Sequence, residues 1–301
     1  VVDPAMKHRL PRGFLTSGES EEVNDMLHPH SVLPPDTRDF YRSVLATLTE
    51  TNIPFMIGGA YALERYTGIV RHTKDLDIFV RRRDCRPILD LFARRGQATE
   101  LTFPHWLGKI HAGHSFVDVI FSSGNCIATV DDDWFAHASA GLLLGVPTLL
   151  CPVEEMIWSK AFVVERERYD GADIAHLLRS RAGDLDWGRL LRRFGSHWRL
   201  LLSYLVLFGF IYPDDSRRIP TGVMDELLVR LRAEQSASPS ETHLCRGTLL
   251  SREQFLIDVQ QWGYIDARLP PHGAMSAADV ERWTDAIGQD EPQPALHATH
   301  G

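Results

Sequence analysis

The sequence predicts an α+β fold: a mixed-sheet N-terminal domain followed by a mainly helical C-terminal region. Three observations predict it. Short β-branched and aromatic runs alternate with stretches of helical periodicity as far as residue 150. After Cys151 the strand-like runs stop and helix caps and helical spacing take over. A chain of 301 residues with 44% hydrophobic content can fill a core for two modest domains or one large one.

Residues 1–35, with Pro4, Pro11, Pro34 and Pro35 among polar residues, read as a loose arm. Asp36 then caps a helix with Phe40, Val44, Leu45 and Leu48 on one face, stopped by Asn52 and Pro54. A short strand at 55–57 runs into Gly58-Gly59, and 60–66 has the composition of a helix closed by Gly68. Residues 74–80 read as a strand and 86–95 as a helix ending at Gly96. Further strands are expected at 98–102, 109–111, 116–121 and 148–150, with a helix starting in Asp131-Asp132-Asp133. The first domain therefore covers 36–150.

In the helical region, 151–287, Pro152 opens a helix expected to reach about Glu167, with Glu154 and Glu155 complementing its dipole. Others begin near Gly171, within 186–210 and at 223–233. Ser236 to Ser240 read as a linker; Ser251-x-x-Gln254 and Ser276-x-x-Asp279 read as capping boxes. Residues 288–301 read as a disordered tail.

A net charge of -8 argues against a protein that grips nucleic acid through its overall field. Four cysteines without paired spacing fit neither a disulfide framework nor a zinc cage, and imply a reducing cytoplasm. The apolar run 200–212 is shorter than the roughly 20 residues of a membrane span and reads as a buried helix, so no membrane partner is expected. The N-terminal residues show no signal-peptide progression.

Three features combine into a site: Gly58-Gly59 at a strand-to-helix turn, Asp75-x-Asp77 on the next strand, and Asp118 within the apolar strand 116–121. Asp-x-Asp arises by chance about once in a chain of this size, so the pair gains meaning only from its company. In a strand, positions i and i+2 share a face, which sets two carboxylates side by side. Like charges that close repel unless a cation lies between them. Asp118 sits among core-type residues, where an unpaired carboxylate is costly. Carboxylate oxygens with water and phosphate are the environment of Mg²⁺, and a two-ion site of this kind serves nucleotidyl transfer. Gly58 and Gly59 let the backbone approach a triphosphate, and Arg71 and Lys74 can neutralise its outer phosphates. The plainer reading of those two cations is solvated charge flanking a strand.

Ile57-Gly58-Gly59, Asp75-Leu76-Asp77-Ile78 and Val117-Asp118-Val119 together resemble the signature of the DNA polymerase beta-like nucleotidyltransferase superfamily across residues 36–150. The resemblance implies that Asp75 and Asp77 ligate both Mg²⁺ ions, that Asp118 also acts at the catalytic metal, and that the glycine turn holds the triphosphate of an NTP such as ATP. A looser resemblance joins residues 71–77 to Ser159-Lys160, Arg166, Arg168, Asp170 and Asp173, and is similar to the AbiEii-type toxin branch. It implies that a Lys and an Asp of the helical half, Lys160 and Asp173, join the active site. Physically, Lys160 can contact a phosphate, and Asp173 near a helix start can orient it or act as a base. Tyr169-Asp170 stands where that branch has Arg-Asp, so the choice between Asp170 and Asp173 stays open.

The expected reaction is Mg²⁺-dependent transfer of NMP from an NTP to an acceptor hydroxyl near Asp118, with release of pyrophosphate. The acceptor is a small hydroxylated molecule, a tRNA end or a protein; the toxin-like resemblance adds a partner protein of a toxin-antitoxin pair. The rival is a non-catalytic nucleotide-binding or antitoxin-like module on the same fold, and three retained carboxylates speak against it. His105, His111 and His114 lack the spacing of a zinc site. Asp131 to Asp133 read as surface capping, and Trp158, Trp187, Trp198, Trp262 and Trp283 as core. Cys245-Arg246-Gly247-Thr248 suggests no mechanism.

Overall fold

The computed structural model describes residues 33–71, 73, 75–236 and 242–287. Lys74, most of the expected N-terminal arm and linker, and the tail lie outside the described residues.

Helix α1 (Pro35–Glu50) starts at Pro35, whose fixed φ suits a first turn, so Asp36 lies inside that turn and is not the cap. Its buried face carries Phe40, Tyr41, Val44, Leu45 and Leu48. There follow β1 (Met56–Ile57), α2 (Gly59–Thr67), β2 (Asp75–Phe79), α3 (Arg82–Arg94), β3 (Ala98–Phe103), β4 (Leu107–Ala112) and β5 (Ser115–Ile120). The helix expected from residue 86 thus begins at Arg82. After α4 (Asp132–Ala136) come β6 (Ser139–Leu143) and β7 (Val146–Leu150). Strand β6 has no alternating pattern to announce it. It forms as the first arm of a hairpin through Leu144-Gly145, both at positive φ, as a tight primed turn requires.

The seven strands lie in the order β3-β4-β5-β2-β1-β7-β6. The sheet is mixed: β2 runs parallel to β5 and β1 parallel to β7, and the other neighbours are antiparallel. Leu76, Ile78, Ile110, Val117 and Val119 pack with α1 and α3 in one apolar cluster. Strand alternation turns Asp75, Asp77, Asp118 and Lys109 to the opposite face.

The helical half comprises α5 (Val153–Lys160), α6 (Gly171–Arg181), α7 (Trp187–Phe194), α8 (Trp198–Ile211) and α9 (Thr221–Ser236). Strand β8 (Leu244–Cys245), α10 (Leu256–Gln260), β9 (Ile265–Asp266) and α11 (Ala277–Asp285) follow, with β8 parallel to β9. Helix α5 is shorter than expected. β-branched Val163 and Val164 disfavour its continuation, and Val164 bridges to Tyr169 instead, making residues 165–168 a loop. Ser251 accepts from the backbone N–H of Gln254, but it caps a turn, and the helix starts only at Leu256. Ser276 and Asp279 do form the reciprocal box.

Residues Trp187 to Ile211 are long and apolar enough in composition to cross a membrane. The run breaks at Gly195, and its Leu190, Phe194, Leu201, Leu205 and Phe208 are core residues. That core also holds Met56, Ala62, Leu63 and Trp134 from the sheet half. Trp158 and Trp198 are buried as expected, but Trp262 is exposed.

Two further devices tie the halves together. Glu155 of α5, fully buried, accepts from Arg189 Nη1 at 3.0 Å and from Arg193 Nε at 2.9 Å. Arg193 also reaches Asp131 at 2.7 Å and Asp133 at 3.0 Å, so the acidic run both caps α4 and receives a clamp from α7. At the far end, α11 returns to β3. Trp283 lies against Gly124, and Asp279 faces the buried His105 at 3.4 Å.

Candidate active site

The parallel pairing of β2 with β5 sets Asp77 directly beside Asp118, with Asp75 beside Phe116. Asp75, Asp77 and Asp118 each offer a carboxylate oxygen, all within 4.8 Å of one another. Among the described residues this is the one group with metal-ligand geometry, and no histidine belongs to it. Thr73 donates to Asp75 Oδ1 and steadies the first carboxylate. Burial, then the charges of Asp75 and Asp118, push Asp77 up to about 7 from an ordinary 3.8. Burial raises Asp118 as well, and Lys109 opposes the rise. Burial first, then the charges of the three carboxylates, hold the Tyr41 hydroxyl above its ordinary range.

The glycine turn is pressed against this cluster. Gly58 N–H donates to the Asp77 carbonyl at 3.1 Å, and Gly59 adopts φ 54. A Cβ on Gly59 would collide with the Asp77 carboxylate, and one on Gly58 with the Phe79 ring. Both positions therefore need glycine for space, and Gly59 for its backbone conformation too. No side chain caps the start of α2.

A second charged group faces the first from the helical half. Lys160, the last residue of α5, donates to Asp170 at 2.9 Å and to Asp173 at 2.8 Å. Arg168 makes two 3.2 Å hydrogen bonds to Asp170. Arg71 pairs with Asp173, so it meets α6 rather than the carboxylate triad. Both Asp170 and Asp173 hold Lys160, which leaves neither as the sole partner. Burial disfavours the Asp170 carboxylate, but Lys160 and Arg168 outweigh it and hold Asp170 below the usual range. The two groups sense each other: Arg168 and Lys160 lower Asp77, while Asp77 and Asp75 help raise Arg168. The three carboxylates of the sheet and the cations Lys160 and Arg168 are therefore close enough to shift one another's charge.

Lys109 is absent from the motifs that the linear sequence singles out, and Arg168 stands in the AbiEii-like pattern without a role. The strand pairing that sets Lys109 opposite Asp118 is the signal for the first. For the second, the signal is the loop 165–168 that replaces the end of an expected helix.

No protein-family model matches the chain, and no curated protein matches it. Solved structures do. The antibiotic-resistance factor ANT(2'')-Ia has 15% identity over 68% of this chain and 95% of its own, with a TM-score of 0.35. The lincosamide antibiotic adenylyltransferase LnuA has 15% identity over 46% of this chain and 94% of its own, with a TM-score of 0.35. An antigenic nucleotidyltransferase-like protein from Paracoccidioides brasiliensis has 16% identity over 62% of this chain and 93% of its own, with a TM-score of 0.39. At such scores these likenesses carry no residue roles to this chain, and what the site can do follows from its own groups.

Proposed function

We propose that the chain is a nucleotidyltransferase that moves NMP from an NTP to an acceptor hydroxyl and releases pyrophosphate. One observation carries this reading: Asp75, Asp77 and Asp118 bring carboxylate oxygens within 4.8 Å of one another, where the charges of Lys160 and Arg168 from the helical half also act on Asp77. Three carboxylates so close, one of them pushed up to about 7, form a hard-oxygen donor set that fits Mg²⁺. Asp75, Asp77 and Asp118 would hold it, and bound Mg²⁺ supplies charge neutralisation for the triphosphate and the attacking oxygen.

The chain's own residues do the rest. The Gly58-Gly59 turn admits a phosphate close to the backbone, where any side chain would fill the space. Lys160 and Arg168 neutralise the charge that builds on the departing pyrophosphate, held ready by Asp170 and Asp173. In the transfer step the acceptor oxygen bonds to the α-phosphorus as the bond to pyrophosphate breaks, and the hydroxyl proton passes to Asp118. Positioning and charge stabilisation supply most of the rate in such reactions. A small hydroxylated molecule, a tRNA end and a protein side chain all present the required hydroxyl. Four free cysteines suit a reducing cytoplasm.

The test incubates the protein with each α-labelled NTP, Mg²⁺ and either total RNA or a cell extract. Label passing to RNA, to protein or to a small molecule identifies the acceptor. An absence of transferred label with all four NTPs in both mixtures would overturn the proposal.

A further inference from the structure

The row of residues that crosses the face of the sheet turned away from α1 and α3 does not stop at the triad. Asp77 on β2 stands beside Asp118 on β5, and Asp118 stands beside Lys109 on β4. Lys109 Nζ donates to Asp118 Oδ1 at 2.9 Å and lies 4.1 Å from the centroid of the Phe116 ring. Glu100, the next residue in the row, accepts from Thr102 at 3.0 Å and faces His111 at 3.3 Å. Lys109 is thus fixed at two points, a carboxylate oxygen and an aromatic face, unlike a solvated surface lysine. An aspartate carboxylate turns readily about its last torsion, where the energy wells are broad. A charged donor on one oxygen therefore decides where the other oxygen points.

We propose that Lys109 is a positioning residue for Asp118. It holds Oδ1, leaves Oδ2 for the point shared with Asp75 and Asp77, and offsets one of the three negative charges crowded there. The kinetic part rests on the nucleotidyltransferase reading; the metal-binding part does not. Two opposed effects follow from removing the ammonium. A cation that competes with a metal is lost, which strengthens metal binding, and Asp118 is released from its orientation, which slows transfer.

The experiment compares intact wild type with Lys109→Met and Lys109→Arg. Mn²⁺ binding is measured by calorimetry. Transfer from an α-labelled NTP is measured at a fixed amount of cell extract while NTP is varied. Lys109→Met is expected to bind Mn²⁺ about threefold tighter or more. Its maximal rate is expected to fall about tenfold or more, with the apparent KM for NTP within about threefold of wild type. Lys109→Arg, which can still donate to Oδ1, is expected to recover most of the rate. Unchanged or weaker Mn²⁺ binding in Lys109→Met overturns the inference, as does a maximal rate within twofold of wild type. So does equal loss of rate in both variants together with a lower Tm, the mark of a packing role. If wild type itself transfers no label, the nucleotidyltransferase reading fails and the Mn²⁺ result alone judges Lys109.

Discussion

Replacing Arg193 with Met removes the guanidinium, whose carbon lies 5.3 Å from the centre of the Trp158 ring at the joint between the two halves, and keeps most of the aliphatic stem. Arg193 makes bonds of unequal worth. Its bond to Glu155 is buried, since Glu155 is 0% exposed, whereas Asp131 and Asp133 are 47% and 49% exposed. Exposed pairs contribute about 0–1 kcal/mol. Stripping a buried charge of its only partner costs about 3–5 kcal/mol, but Glu155 keeps Arg189 at 3.0 Å. The loss is therefore that of one charge-assisted hydrogen bond, about 2 kcal/mol, and the exposed pairs bring the total to about 3 kcal/mol. At roughly 2 °C per kcal/mol, Tm should fall by about 6 °C.

Thermal unfolding followed by circular dichroism measures this, and a double-mutant cycle locates it. Coupling of about 1.5 kcal/mol or more is expected between Arg193→Met and Glu155→Gln, and about 0.5 kcal/mol or less with Asp133→Asn. The pH dependence has a definite sign. Burial raises Glu155 above its ordinary 4.5, with Arg189 and Arg193 opposing it. A carboxyl raised in the fold favours stability at low pH, and that contribution is lost as pH rises through its folded value. Removing Arg193 raises Glu155 further, so the penalty should be small at pH 4 and full at pH 8. A penalty that is flat with pH, or a cycle that places the coupling on Asp133, would refute the burial argument.

Asp77→Asn should be more stable than wild type at pH 8 in EDTA, because it removes a repelling charge, and Mg²⁺ should raise the Tm of wild type alone. Equal Mg²⁺ responses in the two proteins would remove Asp77 from the metal site. Gly59→Val places a β-branched side chain at φ 54 against the Asp77 carboxylate, so Mn²⁺ affinity measured by calorimetry should fall at least about tenfold. Wild-type affinity in that variant would mean the turn and the triad are independent. Lys160→Met keeps the stem and deletes the charge that Asp170 and Asp173 hold. Turnover with the acceptor found by labelling should fall about 10²-fold or more, and wild-type turnover would confine the site to the sheet half.

The triad is legible in the sequence because strand alternation alone predicts that Asp75 and Asp77 share a face. Its third member is legible only as a candidate, since the parallel register that sets Asp118 beside Asp77 joins residues far apart in the chain. The order of strands and helices reads well where caps and apolar periods are strong, as at Gly68 and Ser276. It reads poorly where an element borrows its shape from a neighbour. Strand β6 exists because β7 pairs with it, and α5 ends early because Val164 finds Tyr169. Lys109 escapes notice for the same reason: a lysine in a strand is ordinary until its cross-strand partner is known.

The return of α11 to the sheet also constrains how the molecule is made. Strands β3 to β5 leave the ribosome early, but the ring that covers Gly124 and the acid that faces His105 belong to Trp283 and Asp279. Because synthesis runs from the N-terminus, His105 lacks its contacts with Asp279 and Trp283 until α11 has emerged. The covering of Gly124 and His105 is thus completed only by the last helix of the described fold.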